Sequence, residues 1–335
     1  MKRRTLGALA LLLSALYTLP LHAQQSNELR LTKQPGFSYL PAVIMEENKL
    51  IEKHARAMGL NELKVNWVNF TNGGAATDAL LSGNIDIVTS GGTNLLLLWS
   101  KTHGAVKGIA GLGATPSTLV TRNPKVKTLA DFTAQDKIAV PTVKVSTQAI
   151  LLQMAAEKQL GPGNLDRFNA MTISMGHADA AIALQSRNEQ ITSHFSQPPY
   201  VGMEMKLPGV HAVEKVNTTD IVGEPVSNGV AFATAKFHDA NPKLVAVFLA
   251  ALNESIALIN SDKKAAAEIY LRSTKEKMTP AELVEMLNDP NVVFSAAPLG
   301  TLKVADFMAR AGYIKTRPKT WQEYFFTDVH KLNGG

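Results

Sequence analysis

Apolar positions between residues 69 and 99 change their period twice. Ala76, Ala79 and Leu80 recur at helical spacing and predict a helix, which Gly83 ends by taking a left-handed turn. Ile85, Ile87 and Val88 form an apolar run too short for a buried helix and predict a strand. Thr89-Ser90-Gly91-Gly92-Thr93-Asn94 then makes a glycine-rich turn, and Leu95 to Leu98 open a helix that is apolar on every side. A strand feeding such a turn and a helix start leaves unpaired backbone N–H groups and the positive end of a helix dipole at one place. Ser90 and Thr93 add hydroxyls there without filling the space. That is half of a site for an anionic or strongly polar small molecule; the plain alternative is a βα turn with Thr93 or Asn94 as N-cap.

The same logic extends in both directions. Leu29 and Leu31 start a strand that runs into Gln34-Pro35-Gly36-Phe37-Ser38-Tyr39-Leu40-Pro41, where Pro41 suits a first helical turn. Phe37 and Tyr39 fall in the loop at that strand's carboxyl end, where they either wall a pocket or pack. Further strands are predicted at 63–70 and 106–112, and four βα units in succession predict a parallel, doubly wound α/β sheet. After an extended piece at 117–122, a second unit begins. It has a strand at 137–140, a loop, and a helix opened by Ser146-Thr147-Gln148, striped by Ile150, Leu151, Met154, Ala155 and Leu160 and stopped by Gly161. Strands follow at 171–175 and 191–195, with a helix starting at Gly176-His177-Ala178-Asp179 between them. The second strand closes in Ser196-Gln197-Pro198-Pro199-Tyr200. From residue 229 the chain is extended again, and a long helix at 245–259 returns to the first domain. Amphipathic helices are predicted at 263–271, 280–287 and 303–312, and the aromatic tail (Trp321, Tyr324, Phe325, Phe326) is expected to dock on that domain.

Composition narrows the function. The chain has 335 residues, 45% of them hydrophobic and 19% charged, which suits a globular protein with room for two domains. Lys2, Arg3 and Arg4 precede an apolar run at 6–16 and the sequence Leu21-His22-Ala23, the pattern of an export signal cleaved after Ala23. A retained anchor is the alternative, but the apolar run is short for a bilayer span. Without those three cations the formal charge of +6 falls to about +3. Lysine and arginine are scattered, with no aromatic-interleaved basic stripe, so nucleic acid is not an expected partner. No further apolar segment of ~20 residues is expected, and the mature chain is expected to be soluble. There is no cysteine, which excludes a lipid-modified N-terminus, disulfides, a thiol nucleophile and cysteine-ligated metal. No Ser-His-Asp order, paired carboxylates or HExxH motif appears, so an enzyme is not expected.

Four segments in order, GFSYLP, ALLSGNIDIVTSGG, KTLADFTAQDKIAVPTVKVSTQAILL and NGVAFATAKFHDANPKLVAVFL, carry a resemblance over essentially the whole mature chain. Together they resemble the solute-binding proteins of ABC importers, most closely the nitrate, taurine and alkanesulfonate branch. That branch shares its fold with binders of thiamine-pyrimidine precursors. The resemblance implies a two-lobed periplasmic-binding-protein fold of type II, two doubly wound α/β domains joined by crossover strands near 117–122 and 226–229. Residues 1–23 would be the signal peptide, 24–120 the first part of lobe I, 121–228 lobe II, and 229–335 the return to lobe I. Ligand contacts carried over are Phe37 and Tyr39, Ser90 and Thr93, and Ser146 and Thr147. His177, His194 and Ser196 are placed in turns facing the same cleft. The family often shows an acidic-Pro dipeptide where this chain has Ser196-Gln197-Pro198-Pro199.

By that resemblance the protein is periplasmic and monomeric. It captures a small organic or inorganic anion (sulfonate, taurine, nitrate or carboxylate-like) by hinge closure and hands it to a cognate ABC permease, its one link to the membrane. Neither cofactor nor metal is implied. Arg122 and Arg187 are expected in solvated roles rather than as ligand clamps, and His177 and His194 are equally readable as satisfied polar residues. The alternatives are a pyrimidine-precursor binder, a binding protein serving a sensor kinase, and an enzyme on the same fold. The pyrimidine-precursor synthases of that fold use a Cys-rich motif absent here, and its menaquinone-pathway enzymes are cytoplasmic.

Overall fold

A computed structural model describes residues 27–186 and 190–335. The expected signal peptide and Arg187 lie outside the described residues. The chain opens with β1 (Glu28–Lys33), a 3-10 turn at Phe37–Tyr39, α1 (Leu40–Glu47) and α2 (Leu50–Ala57). It continues through β2 (Lys64–Asn69), α3 (Gly73–Leu81), β3 (Val88–Ser90), α4 (Gly92–Lys101) and β4 (Val106–Gly113). β1 and β2 pair in parallel, and a parallel bridge from Leu31 to Ile87 carries this layer on towards β3.

Residues 114–117 then cross to a second sheet. It holds β5 (Thr118–Thr121), β6 (Ile138–Val140), α5 (Thr147–Leu160), β7 (Thr172–Ser174), α6 (His177–Gln185), β8 (Ser193–Ser196), α7 (Tyr200–Glu204), β9 (His211–Asn217) and α8 (Thr218–Val222). Its strand order is β7-β6-β8-β5-β9. Residues 223–228 cross back into β10 (Gly229–Thr234), and the rest is helical. α9 (Ala235–Ala240), α10 (Pro242–Ser261), α11 (Lys263–Thr274), α12 (Pro280–Leu287) and α13 (Thr301–Arg310) precede the aromatic tail.

Two features depart from the expected all-parallel sheets. β10 runs antiparallel between β3 and β4, and β5 runs antiparallel to both β8 and β9. The reason is the double crossing. A chain that leaves the first sheet at the end of β4 and re-enters at that same end must run back against its neighbours. Gly229 to Ala233 are all buried, as a central strand covered on both faces requires. The strand β9 was not expected at all. Its buried valines, Val213 and Val216, are three apart because Lys215 takes a left-handed turn (φ 56°), which hides the period-2 alternation.

One large core runs through both halves. The tail docks as expected: Tyr324 is fully buried with its ring 5.9 Å from that of Trp99, and Phe326 stacks on His238 at 3.8 Å. The expectation that no second long apolar segment exists is corrected. α10 is long and apolar enough to cross a membrane by length and composition. It packs on α1 and α2, with Leu244, Val247, Phe248, Ala251 and Leu252 buried.

Candidate functional site

The crossings bring four helix starts to one place. α3 begins after Asn72, whose side chain accepts from Ala75 N–H at 3.2 Å, and α4 begins after Gly91. From the other sheet, α5 begins after Ser146, whose hydroxyl accepts from Ala149 N–H at 3.3 Å, and α6 begins at His177 after Gly176. Between them lies a cavity of about 30 Å³ walled by both sheets. Gln34, Tyr39, Thr71, Ser90 and Asn94 line it from the first; Thr142, Ser146, Thr147, Gln148, His177 and Gln197 line it from the second. Asn228 closes it from the return crossing. The wall is polar, and no lysine, arginine or carboxylate belongs to it among the described residues. Such a site would meet negative charge with backbone N–H groups and helix dipoles.

Local packing explains why the wall has this shape. A Cβ on Gly73 would stand 2.0 Å from Asn94 Nδ2 and 2.3 Å from Ser90 Oγ, so only glycine lets α3 approach the Ser90–Asn94 pair. Asn94 Nδ2 donates to Ser90 Oγ at 2.9 Å and thereby fixes both side chains. The two crossings are laced together by hydrogen bonds. Asn228 Nδ2 donates to Thr115 O at 3.0 Å and to Gln197 Oε1 at 3.1 Å, and Ser38 Oγ donates to Asn228 Oδ1 at 2.9 Å.

No family model and no curated protein matches the chain. Solved structures do. The chain is similar to the alkanesulfonate-binding protein SsuA from Xanthomonas axonopodis pv. citri, bound to MOPS, with TM-score 0.65 and 17% identity over 88% of this chain and 96% of that one. It is similar to the periplasmic nitrate-binding protein NrtA from Synechocystis PCC 6803, with TM-score 0.65 and 15% identity over 88% of this chain and 84% of that one. A third likeness is to the Candida albicans CA3427 gene product, which exhibits the generic periplasmic binding protein fold. There the TM-score is 0.62 and the identity 13%, over 92% of this chain and 98% of that one. This chain has the periplasmic-binding-protein fold.

Within that periplasmic-binding-protein fold, five of the nine residues singled out from the sequence line the cavity: Tyr39, Ser90, Ser146, Thr147 and His177. The other four do not line it. Phe37 is fully buried, with its ring 5.3 Å from Tyr270 and edge-on to it. Thr93 lies beside the cavity, its hydroxyl 3.4 Å from that of Thr147 across the gap between the sheets. His194 stands behind His177, and Ser196 is fully buried with its hydroxyl unpartnered among the described residues. Both belong to β8 itself rather than to a turn, and the turn starts at Gln197. The N-cap alternative for α4 is also corrected: Gly91 holds that position, and Thr93 and Asn94 lie inside the helix.

Gln34, Thr71, Asn94, Thr142, Gln148, Gln197 and Asn228 were not singled out as site residues. Their signal was proximity, since each is a polar residue within a few positions of a strand's carboxyl end, a helix start or a crossing. Gln197 Oε1 accepts from Asn228 Nδ2 at 3.1 Å.

Among the described residues, two ionisable groups reach the cavity. Burial pushes the Tyr39 phenol well above its ordinary range, so it stays neutral and can donate. Burial, and then the charge of His194, holds His177 well below the ordinary histidine value. His177 Nδ1 lies 2.8 Å from His194 Nε2, and His194 Nδ1 lies 2.6 Å from Glu204 Oε1.

Proposed function

We propose that this protein is the extracytoplasmic solute-binding component of an ABC importer. It would capture a small anion or strongly polar solute between two lobes that close about a hinge. One observation carries the reading: a cation-free polar cavity is walled by both sheets at the convergence of four helix starts. A group held by both walls favours the closed arrangement over the open one, because contact with both exists only there. The hinge would be the crossings at 114–117 and 223–228; the lobe boundary expected at 120 moves back to 117, because β5 pairs with β8 and β9, so residues 28–113 and 229–335 make one lobe and 118–222 the other.

Ligand contacts in this reading are Tyr39, Ser90, Ser146, Thr147 and His177, with Thr93 meeting the far wall. The fold likeness to sulfonate- and nitrate-binding proteins supports an oxyanion such as a sulfonate or nitrate, and the basic-then-apolar N-terminal pattern supports export. Delivery would be to a cognate permease.

The test is a thermal-shift screen of the mature chain against nitrate, methanesulfonate, taurine, benzoate and simple pyrimidines. Binding raises the melting temperature, by the equivalent of about 2.7 kcal/mol at a hundred times Kd. The expected result is a shift with at least one small anion and none with pyrimidines. No shift with any anion at millimolar concentration would overturn the reading.

A further inference from the structure

His177, His194 and Glu204 form a row leading from the cavity into the second lobe. His177 lines the cavity, His194 is 0% exposed and Glu204 is 1% exposed. Nδ1 of His177 is taken by His194, which leaves Nε2 as the ring's polar atom for the cavity. Both nitrogens of His194 are taken, one by each neighbour. Glu204 Oε2 is buried and has no hydrogen-bond partner among the described residues.

The proton count of this row decides what the cavity meets. A carboxylate only accepts, so an ionised Glu204 requires N–H at His194 Nδ1. With no further proton in the row, His194 Nε2 is an acceptor and His177 Nδ1 must carry the shared proton. His177 Nε2 is then bare: the cavity faces an acceptor, and the row carries one negative charge. One added proton can leave the charge arranged in three ways: an ionised Glu204 with a charged His194, an ionised Glu204 with a charged His177, or a neutral carboxylic acid with two neutral rings. In each of them His177 Nε2 carries a hydrogen and the row is neutral overall. A single proton therefore turns the cavity-facing atom from acceptor to donor and removes a negative charge from behind it. An anion is repelled by the first state and held by the second.

We propose that His177, His194 and Glu204 are a proton relay through which the cavity takes up its anion together with one proton. The inference rests on the solute-binding reading above and adds the class of solute, an anion bound with a proton from solvent. It also makes His177 the residue that selects an anion over a neutral hydrogen-bond donor.

Among the described residues no lysine or arginine lines the cavity. Tyr39 is the other ionisable group on the cavity wall, and Asp179 in the first turn of α6 is exposed. The Tyr200 ring stacks on His177 at 6.2 Å, and its hydroxyl donates to Glu276 at 3.1 Å. Tyr270 adjoins that pair. Lys206, Lys277 and Glu282 share with Glu204 a separate surface pocket, where Lys206 pairs with Glu282. Burial and His194 disfavour charge on His177, and an anion bound beside the ring favours the protonated row over the unprotonated one. The sign follows. Above the pKa of the empty row and below that of the filled row, binding takes up a proton, and affinity falls as pH rises, by about tenfold per unit.

Nitrate and methanesulfonate stay ionised throughout, so any proton counted is taken by the protein. Titration calorimetry of each is run between about pH 6 and 9 in buffers of different protonation enthalpy, with about one proton taken up per anion expected. His177→Gln, checked for fold by circular dichroism, is expected to lose both the proton uptake and the pH slope. Nitrogen-15 histidine spectra of the parent chain give a readout that needs no variant: saturating nitrate should convert His177 Nε2 from bare to N–H. Binding with no proton uptake and flat affinity overturns the relay and leaves the solute reading standing, as does proton uptake that survives in His177→Gln. Failure of both anions to bind at any pH overturns the anion reading, and the relay with it.

Discussion

Ser146 and Thr147 are adjacent, and the structure gives them different work. Ser146 satisfies an otherwise orphaned backbone donor at the start of α5, so Ser146→Ala is expected to lower stability by about 1 kcal/mol, read from melting curves. Thr147 faces Thr93 across the gap at 3.4 Å and caps nothing. Thr147→Ala is expected to leave the melting curve nearly unchanged and weaken solute binding by about 1 kcal/mol in calorimetry. Thr147→Trp has no space to fill, because a Cβ on Gly91 would already stand 2.9 Å from Thr147 Oγ1. It should hold the lobes apart and abolish binding with the fold intact; unchanged affinity in both Thr147 variants would move the site elsewhere. That both hydroxyls belong to a helix start was legible in the sequence, because the strand-turn-helix signal is local. Which of the two caps the helix and which reaches across was not, because that depends on how α5 is rotated against α4.

At the scale of elements, α12 is the best-read helix, and its bounds match the expectation because Pro280 and a capping box are signals carried within one turn. Glu282 completes that box. Lys206 first, and then the Thr279 N–H and hydroxyl, lower its pKa from 4.5 to about 2. A carboxylate lowered in the folded state contributes stability that is complete above its unfolded value and fades as pH falls through the folded one. The pair is exposed, so the contribution is small. Glu282→Gln should melt slightly below the parent at neutral pH, and the difference should shrink as pH falls from 4.5 towards about 2; a difference independent of pH would count against the pairing. The tail element is worth more. Tyr324 is fully buried and its hydroxyl lies 2.9 Å from that of Thr301, so Tyr324→Ala is expected to cost about 3–5 kcal/mol in denaturant unfolding.

Over the whole molecule, two crossings carry all the covalent connection between the sheets, and side chains of Ser38, Gln197 and Asn228 bridge them. If closure accompanies binding, small-angle scattering of the mature chain should show a smaller radius of gyration with saturating nitrate than without it; an unchanged radius would count against hinge closure.

Sequence by itself determined the alternation of strands, glycine-rich turns and helix starts, the second set of such elements, and the docking of an aromatic tail. Each of these follows from periodicity, caps and turn chemistry within one or two turns of chain. The direction of β10 between β3 and β4, the burial of α10 as a core helix, and the exclusion of Phe37, His194 and Ser196 from the cavity wall were decided by tertiary structure. So was the row from His177 to Glu204, whose members lie 17 and 10 residues apart. Side chains so far apart in sequence meet only because the sheet sets β8 against α6 and α7, and a hydrophobic pattern specifies which face is buried without specifying which neighbour it meets.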